Sequence, residues 1–209
     1  MLASFKATSV CSDIVFYVSF DDPRIEEYKI NLKEERLVIG ERLQLGPACN
    51  LLSKEDPHEY FGCINDDMIY LTAGWDHILT ETIKSKGKGW GMAHAIANKT
   101  PHNVPMAEMI SKRTIDALGY YYPPQLQHLF IDWALRELYG RLRLQFVCED
   151  VEIEHRHFHW GLANEDDNYR DAYESSNFQR EEKLYTDWMI ENLKEDQGRL
   201  TTAIQNSAG

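Results

Sequence analysis

No long apolar run occurs in this chain. None of its 209 residues belongs to a stretch near the ~20 consecutive apolar residues that a membrane-crossing helix needs. The first ten residues, Met1 to Val10, have neither the basic start nor the apolar core of a secretory leader. Cysteine is sparse. Cys11, Cys49, Cys63 and Cys148 are scattered without a Cys-x-x-Cys pair, which argues against a zinc ribbon or disulfide scaffold and for reduced, buried thiols. Positive charge is in short supply as well: 22 Lys and Arg face 34 Asp and Glu, a net charge of −12. Such a surface disfavours non-specific binding to nucleic acid or anionic membranes, which rests on Lys and Arg. Internal repeats are absent. Together these points describe a soluble cytoplasmic protein that does not associate with membranes.

With 43% hydrophobic and 27% charged residues, the chain can build one substantial domain. The stretch that stands out is Phe61 to Asp76. A short apolar run, Phe61 to Ile64, stops in Asn65-Asp66-Asp67, and a second run, Met68 to Leu71, follows at once. Adjacent carboxylates at the end of a buried strand repel each other, and burying them is costly unless a cation or hydrogen-bond donors compensate. Oxygen-rich clusters suit hard divalent ions such as Mg²⁺ or Mn²⁺. A solvated turn would use the same residues.

Secondary structure alternates along the chain. Met1 to Thr8 reads as the end of a helix. Asp13 to Phe20 reads as a strand covered on both faces, ending in Asp21-Asp22-Pro23. Ligands gather beyond the carboxyl ends of strands in open α/β sheets, so Asp21 and Asp22 are candidates for a nucleotide pocket. Equally, Asp22 suits a cap for a helix from Pro23 to Asn31. A strand at Arg36 to Gly40 and a helix at Gly46 to Lys54 follow, and Thr72 to Asp76 leads into another helix, through about Lys84. The Gly- and Lys-rich segment Ser85 to Gly91 reads as a flexible connection or a loop that closes over a phosphate.

Met92 to Asn98 and Val104 to Ile110 read as strands. Ser111 suits the N-cap of a short helix that Gly119 stops. Leu126 to Leu142 has the spacing of an amphipathic helix, which puts His128 and Asp132 on one face. Arg143 to Cys148 and Val151 to Glu154 read as two strands, the second running into His155-Arg156-His157-Phe158-His159-Trp160. Two of those histidines share a strand face, as in a zinc His-x-His, but no well-spaced Cys or His partner accompanies them. Asp166 to Tyr173 and Phe178 to Glu195 read as helices. The expected layout is residues 1–163 as one α/β domain, 164–196 as a helical appendage and 197–209 as a disordered tail.

Four segments, in order, resemble the nucleotide-diphospho-sugar glycosyltransferases of the GT-A fold, and more narrowly the family-2-like proteins of bacteriophages. They are Val15 to Pro23, Asn65 to Trp75, Ile110 to Leu142 and Asp150 to His157, spanning about residues 10 to 170. The resemblance implies a three-layer α/β/α fold with a mixed central sheet and C-terminal helices. It implies transfer of a sugar from a nucleotide-diphosphate donor, most simply a UDP-sugar, to a hydroxyl acceptor, with inversion. Asn65-Asp66-Asp67 stands where the family carries its Asp-x-Asp-like motif, so Asp67 would bind Mn²⁺ or Mg²⁺ and Asp66 would contact the ribose or a metal-bound water. His155 would complete the metal site, with His157 as the fallback. Asp21 and Asp22 would border the nucleoside. Asp132 would be the general base, its pKa lowered by the start of its helix. The family normally opens with a strand that holds the nucleobase, whereas this sequence reads as starting inside the first helix. A non-catalytic binding protein on a degenerate fold, a metal-dependent phosphoryl-transfer or hydrolytic enzyme, and a homo-oligomer that supplies the strand between protomers are therefore the alternatives.

Overall fold

The computed structural model describes residues 1–32, 36–98, 100–101, 103–162, 170 and 173–207. The chain enters through helix α1 (Leu2–Thr8), whose Phe5 is buried, and continues into strand β1 (Val15–Ser19). After α2 (Ile25–Asn31), strand β2 (Arg36–Gly40) pairs with β1 in parallel, and the two form a sheet of their own. Helix α3 (Leu45–Glu55) leads to β3 (Tyr60–Gly62), and the Cys63–Asp67 turn connects β3 to β4 (Met68–Tyr70).

Helix α4 (Trp75–Gly87) precedes β5 (Met92–Ala97), β6 (Met106–Ser111) and helix α5 (Lys112–Leu118). Helix α6 (Ile131–Arg141), the long strand β7 (Gln145–His155) and a 3₁₀ turn (Phe158–Trp160) follow. Helices α7 (Ser175–Glu191) and α8 (Leu193–Ser207) complete the fold. The second sheet has the order β3-β6-β5-β7-β4, with β5 and β7 parallel and the other pairs antiparallel.

Side-chain alternation along the strands builds a three-layer α/β/α sandwich, as the sequence leads one to expect. On one face Met92 and Ile110 pack with Ile115, Leu118, Leu135, Leu138, Trp188 and Leu200 from α5 to α8. On the other, Ala93, Met109, Val151 and Ile153 pack with Phe5, Trp75, Leu79 and Ile83 from α1 and α4. Each fully buried Leu or Ile here contributes about 1.5–3 kcal/mol relative to exposure. Among the described residues no helix is long and apolar enough to cross a membrane.

Several expectations are corrected. The buried strand expected at Phe61 is β3, an edge of the sheet whose three residues are only half-buried, and β4 pairs with the last three residues of β7. The two strands expected at Arg143 to Cys148 and Val151 to Glu154 are one, β7 (Gln145–His155), whose register with β5 shifts without breaking; Arg143 lies in the turn before it, with φ of 59°. The helix expected from Leu126 begins only at Ile131: Phe130 takes a left-handed conformation, with φ of 64°, which separates His128 from the helical face of Asp132. Ser85 to Gly91 is no phosphate loop. Its first part extends α4, Lys88 and Gly89 make a left-handed stop, and Trp90 is buried under the Arg113 guanidinium.

The tail expected at 197–209 is instead helical as far as Ser207. Leu193 and Leu200 are buried, and Asp196 accepts a hydrogen bond from the Trp188 indole at 3.0 Å. Residues spaced seven apart supply one apolar stripe even in a polar segment. Most of the helix expected over Asp166 to Tyr173 lies outside the described residues.

Candidate active site

The five-residue turn between β3 and β4 brings its carboxylates to the end of β7. Antiparallel pairing sets Met68 opposite His155, and the Asp67 carbonyl accepts the Arg156 N–H at 2.9 Å. This register places Asp67 Oδ2 3.1 Å from His155 Nε2. Asn98 fixes the backbone there, its Oδ1 accepting the His155 N–H at 2.6 Å. The His155 ring is 5% exposed and stands edge-on to the rings of His157 and Trp160. Neither of its ring nitrogens makes a well-aligned hydrogen bond among the described residues, in spite of the short approach to Asp67.

Asp67 and His155 line a cleft of about 1530 Å³, together with Asp66, Glu108, Asp132 and His157. Its lining comes from β1, α3, β3, α4, β6 and α6 and the turns between them. Asp66 is exposed to it. Asp132 sits in the first turn of α6, and its Oδ1 accepts the Trp133 N–H at 2.9 Å. The carboxyl is nonetheless pushed above the ordinary aspartate value, because loss of solvent outweighs that hydrogen bond and the nearby Arg136 and His155. The lowered pKa expected from the helix start is thus reversed: one N–H of a terminal turn does not replace water around a carboxylate.

Asp21 and Asp22 are not among the lining residues of the cleft. Asp21 accepts a hydrogen bond from Ser19 Oγ, and Asp22 accepts the Arg24 N–H at 2.8 Å, a turn that leads into α2. The helix cap expected of Asp22 does not form: α2 starts at Ile25, Arg24 holds the N-cap position, and no side chain caps it, so the Asp22 contact is a local turn before the helix. The structure thus brings Asp66, Asp67, Asp132 and His155 to one cleft and leaves Asp21 and Asp22 outside it.

Two features escaped the sequence reading. Glu108, on β6, is buried against the cleft, with its Oε1 accepting the Tyr121 hydroxyl at 3.0 Å and the Tyr122 hydroxyl at 2.5 Å. A single carboxylate inside the apolar run Met106 to Ile110 was the available signal. Asn50, on α3, holds the Tyr120 to Pro124 turn: Oδ1 accepts the N–H groups of Tyr121 and Tyr122, and Nδ2 donates to the Tyr122 carbonyl. No pattern in the sequence points to that contact across 72 positions.

Among the described residues, no group of three or more His, Cys, Asp or Glu side chains converges to hold a metal ion. Asp67 and His155 supply two side-chain donors.

No protein-family model and no curated protein sequence matches the chain. Solved structures do. One is the crystal structure of glucosyl-3-phosphoglycerate synthase from Mycobacterium tuberculosis in complex with Mn²⁺, uridine-diphosphate-glucose and phosphoglyceric acid. The two share 11% sequence identity with a TM-score of 0.58, over 82% of this chain and 68% of that one. At this identity the likeness shows the fold, which is that of the GT-A class.

Proposed function

We propose that this protein is a metal-dependent glycosyltransferase that moves a sugar from a nucleotide-diphosphate donor, a UDP-sugar in the simplest case, to a hydroxyl acceptor. The observation that carries the reading is the Asp67–His155 pair, 3.1 Å apart at the carboxyl end of β7, in a cleft that also holds Asp132. The matching fold supports it, as does the Mn²⁺ and UDP-glucose bound by the protein that shares that fold.

The side chains fit a divalent ion. His155 is buried with ring nitrogens that no hydrogen bond engages among the described residues, and an aspartate oxygen stands beside it. A carboxylate oxygen with an imidazole nitrogen favours Mn²⁺ over Mg²⁺, which prefers oxygen alone. Asp67 and His155 would hold the ion, with Asp66 exposed beside them for a ribose hydroxyl or a metal-bound water. When bound, such an ion neutralises charge that develops on the departing nucleoside diphosphate. Two protein ligands leave room for the diphosphate, so metal and donor bind together.

Asp132 is the base in this reading. A carboxylate with a raised pKa is a stronger base than an exposed one, and it takes the proton of the acceptor hydroxyl as that oxygen attacks the sugar. A single carboxylate of this kind suits direct displacement and therefore inversion.

The test is a thermal-shift screen of nucleotide sugars with and without Mn²⁺. Binding to the native state raises the melting temperature by linkage. The reading requires at least one UDP-sugar to stabilise the protein more with Mn²⁺ than the sum of the two separate effects. Additive or absent shifts across the screen would contradict it.

A further inference from the structure

Helix α7 buries a carboxylate that no step described above uses. Glu181 is 2% exposed, and glutamate is almost never buried so far unless it is paired. Its main partners are backbone groups. Oε2 accepts the N–H of Gln127 at 3.1 Å and the N–H of His128 at 3.2 Å. Two successive peptide N–H groups aimed at one oxygen make a concavity that suits an anion. Oε1 accepts the Arg180 guanidinium at 3.3 Å, a contact that solvent screens because Arg180 is exposed.

The segment that Glu181 holds leads directly to Asp132. Residues Gln127 to Trp133 all line the cleft. Helix α3 grips the same segment: the Gly46 N–H donates to the Gln127 carbonyl at 2.8 Å, and a Cβ on Gly46 would stand 2.5 Å from the Leu126 carbonyl oxygen. Three positions after Gln127, Phe130 makes its left-handed turn, and its carbonyl accepts the Ala134 N–H at 2.9 Å, which opens α6. Left-handed backbone in a residue with a Cβ persists where the surroundings impose it.

Helix α7 supplies those surroundings. The Phe130 ring stacks on Tyr185, with centroids 5.6 Å apart, and meets Phe178 edge-on at 5.2 Å. Phe178, Glu181 and Tyr185 are spaced by three and four residues, which is one face of one helix. Asp132 follows in the first turn of α6. Burial pushes the Tyr185 hydroxyl up, and the charge of Asp132 is among those that act on it. The same face of α7 therefore lies close to the base.

We propose that Glu181 is a positioning residue for glycosyl transfer: by fixing the Gln127 and His128 peptides from α7, it sets where Phe130 turns and so where α6 presents Asp132 to the cleft. The proposal rests on the glycosyl-transfer reading for what Asp132 does, and on the contacts above for how Asp132 is held. Glu181 acts through the loop and not on the sugar. A general base works only within hydrogen-bond reach of the hydroxyl it deprotonates, and a misplacement of about 1 Å costs up to about 10²-fold in rate.

The experiment compares wild type with Glu181→Gln and Glu181→Ala. Both variants remove the same charge, and only glutamine keeps an oxygen for the two N–H groups, so their difference reports the hydrogen bonds. Amide hydrogen exchange read by NMR should find Gln127 and His128 protected in wild type, nearly as slow in Glu181→Gln, and at least about tenfold faster in Glu181→Ala. Trp133 and Ala134 should speed up with them, while Leu138 and Tyr139, further along α6, should not change. The Asp132 carboxyl ¹³C resonance at pH 7, assigned by its absence in Asp132→Asn, should move in Glu181→Ala and stay near its wild-type position in Glu181→Gln. In release of UDP from the best-bound UDP-sugar with Mn²⁺, kcat should fall about 10- to 10²-fold in Glu181→Ala and largely recover in Glu181→Gln, with KM for the donor unchanged.

Unprotected Gln127 and His128 amides in wild type, or an Asp132 resonance that is the same in Glu181→Ala as in Glu181→Gln, would overturn the role of Glu181 and leave the glycosyl-transfer reading intact. Equal acceleration of every α6 amide would overturn it too, by making Glu181 a support of the fold alone. If no UDP-sugar binds wild type in Mn²⁺, the glycosyl-transfer reading falls, and this role falls with it. Should Glu181→Ala fail to fold, Glu181→Asp takes its place. Aspartate keeps the charge and withdraws the carboxylate by one methylene, so the same local exchange and the same move of the Asp132 resonance are expected, and their absence refutes the proposal.

Discussion

Replacing Asp132 by Asn should stabilise the protein at neutral pH while disabling it. The carboxyl lies in the first turn of α6, partly buried, and accepts the Trp133 N–H at 2.9 Å. Loss of solvent raises its pKa, and Arg136 and His155 offset that only in part. An asparagine keeps the acceptor oxygen for Trp133 and removes the desolvated charge. The cost of burying a polar group with incomplete partners runs to about 1–3 kcal/mol. With one N–H and a nearby guanidinium already compensating, the lower end applies, about 1 kcal/mol.

For a chain of this size that is about 2–4 °C in melting temperature. A folded-state pKa above the unfolded value of about 3.9 means that the stability associated with the protonated form is complete at low pH and is lost as pH rises through the folded pKa. The variant has no such loss. Its advantage should therefore be small near pH 4 and grow towards pH 7, and relief of Glu108, whose carboxyl the Asp132 charge also pushes up, adds in the same direction. Differential scanning fluorimetry on both proteins across that range reads it directly. A variant less stable than wild type at pH 7, or an offset that does not change with pH, would refute the assignment of a desolvated carboxylate. In a transfer assay the same variant should be about 10²- to 10⁴-fold slower, the usual worth of a general base.

Two further outcomes test other parts of the account. His155→Ala should lower Mn²⁺ affinity in the presence of UDP by at least about tenfold while leaving the far-UV circular dichroism unchanged; unchanged affinity would remove His155 from the site. Asn50→Ala deletes three hydrogen bonds to the Tyr121–Tyr122 backbone and should cost about 2–4 kcal/mol in urea unfolding; a loss under 1 kcal/mol would show that this turn holds itself.

The layers and the site were legible to different degrees. The spacing of apolar residues located nearly every strand and helix through β7, because burial on a face repeats at 2.0 or 3.6 residues whatever lies across from it. It failed where conformation depends on a single dihedral angle: Phe130 at positive φ shortens α6, and nothing in Leu-Phe-Ile announces it. The polar α8 was misread because only Leu193, Asp196 and Leu200 bury themselves, and a side chain from α7, Trp188, is what anchors them. Asp67 and His155 could be paired in advance only through the order of motifs. The contact itself comes from strand register between β4 and β7, a property of the sheet. The pKa of Asp132 was misjudged for a related reason: a helix start is visible in sequence, but the depth of the cleft around it is not.

The central claim is that Asp67 and His155 hold a divalent ion jointly with a nucleotide diphosphate. The measurement that tests it most directly is a calorimetric titration of Mn²⁺ into wild type and Asp67→Asn, with and without UDP. The account predicts weak Mn²⁺ binding to wild type alone, much tighter binding with UDP present, and loss of that gain in Asp67→Asn. Equal Mn²⁺ affinity in the two proteins, or an affinity that UDP does not change, would contradict it.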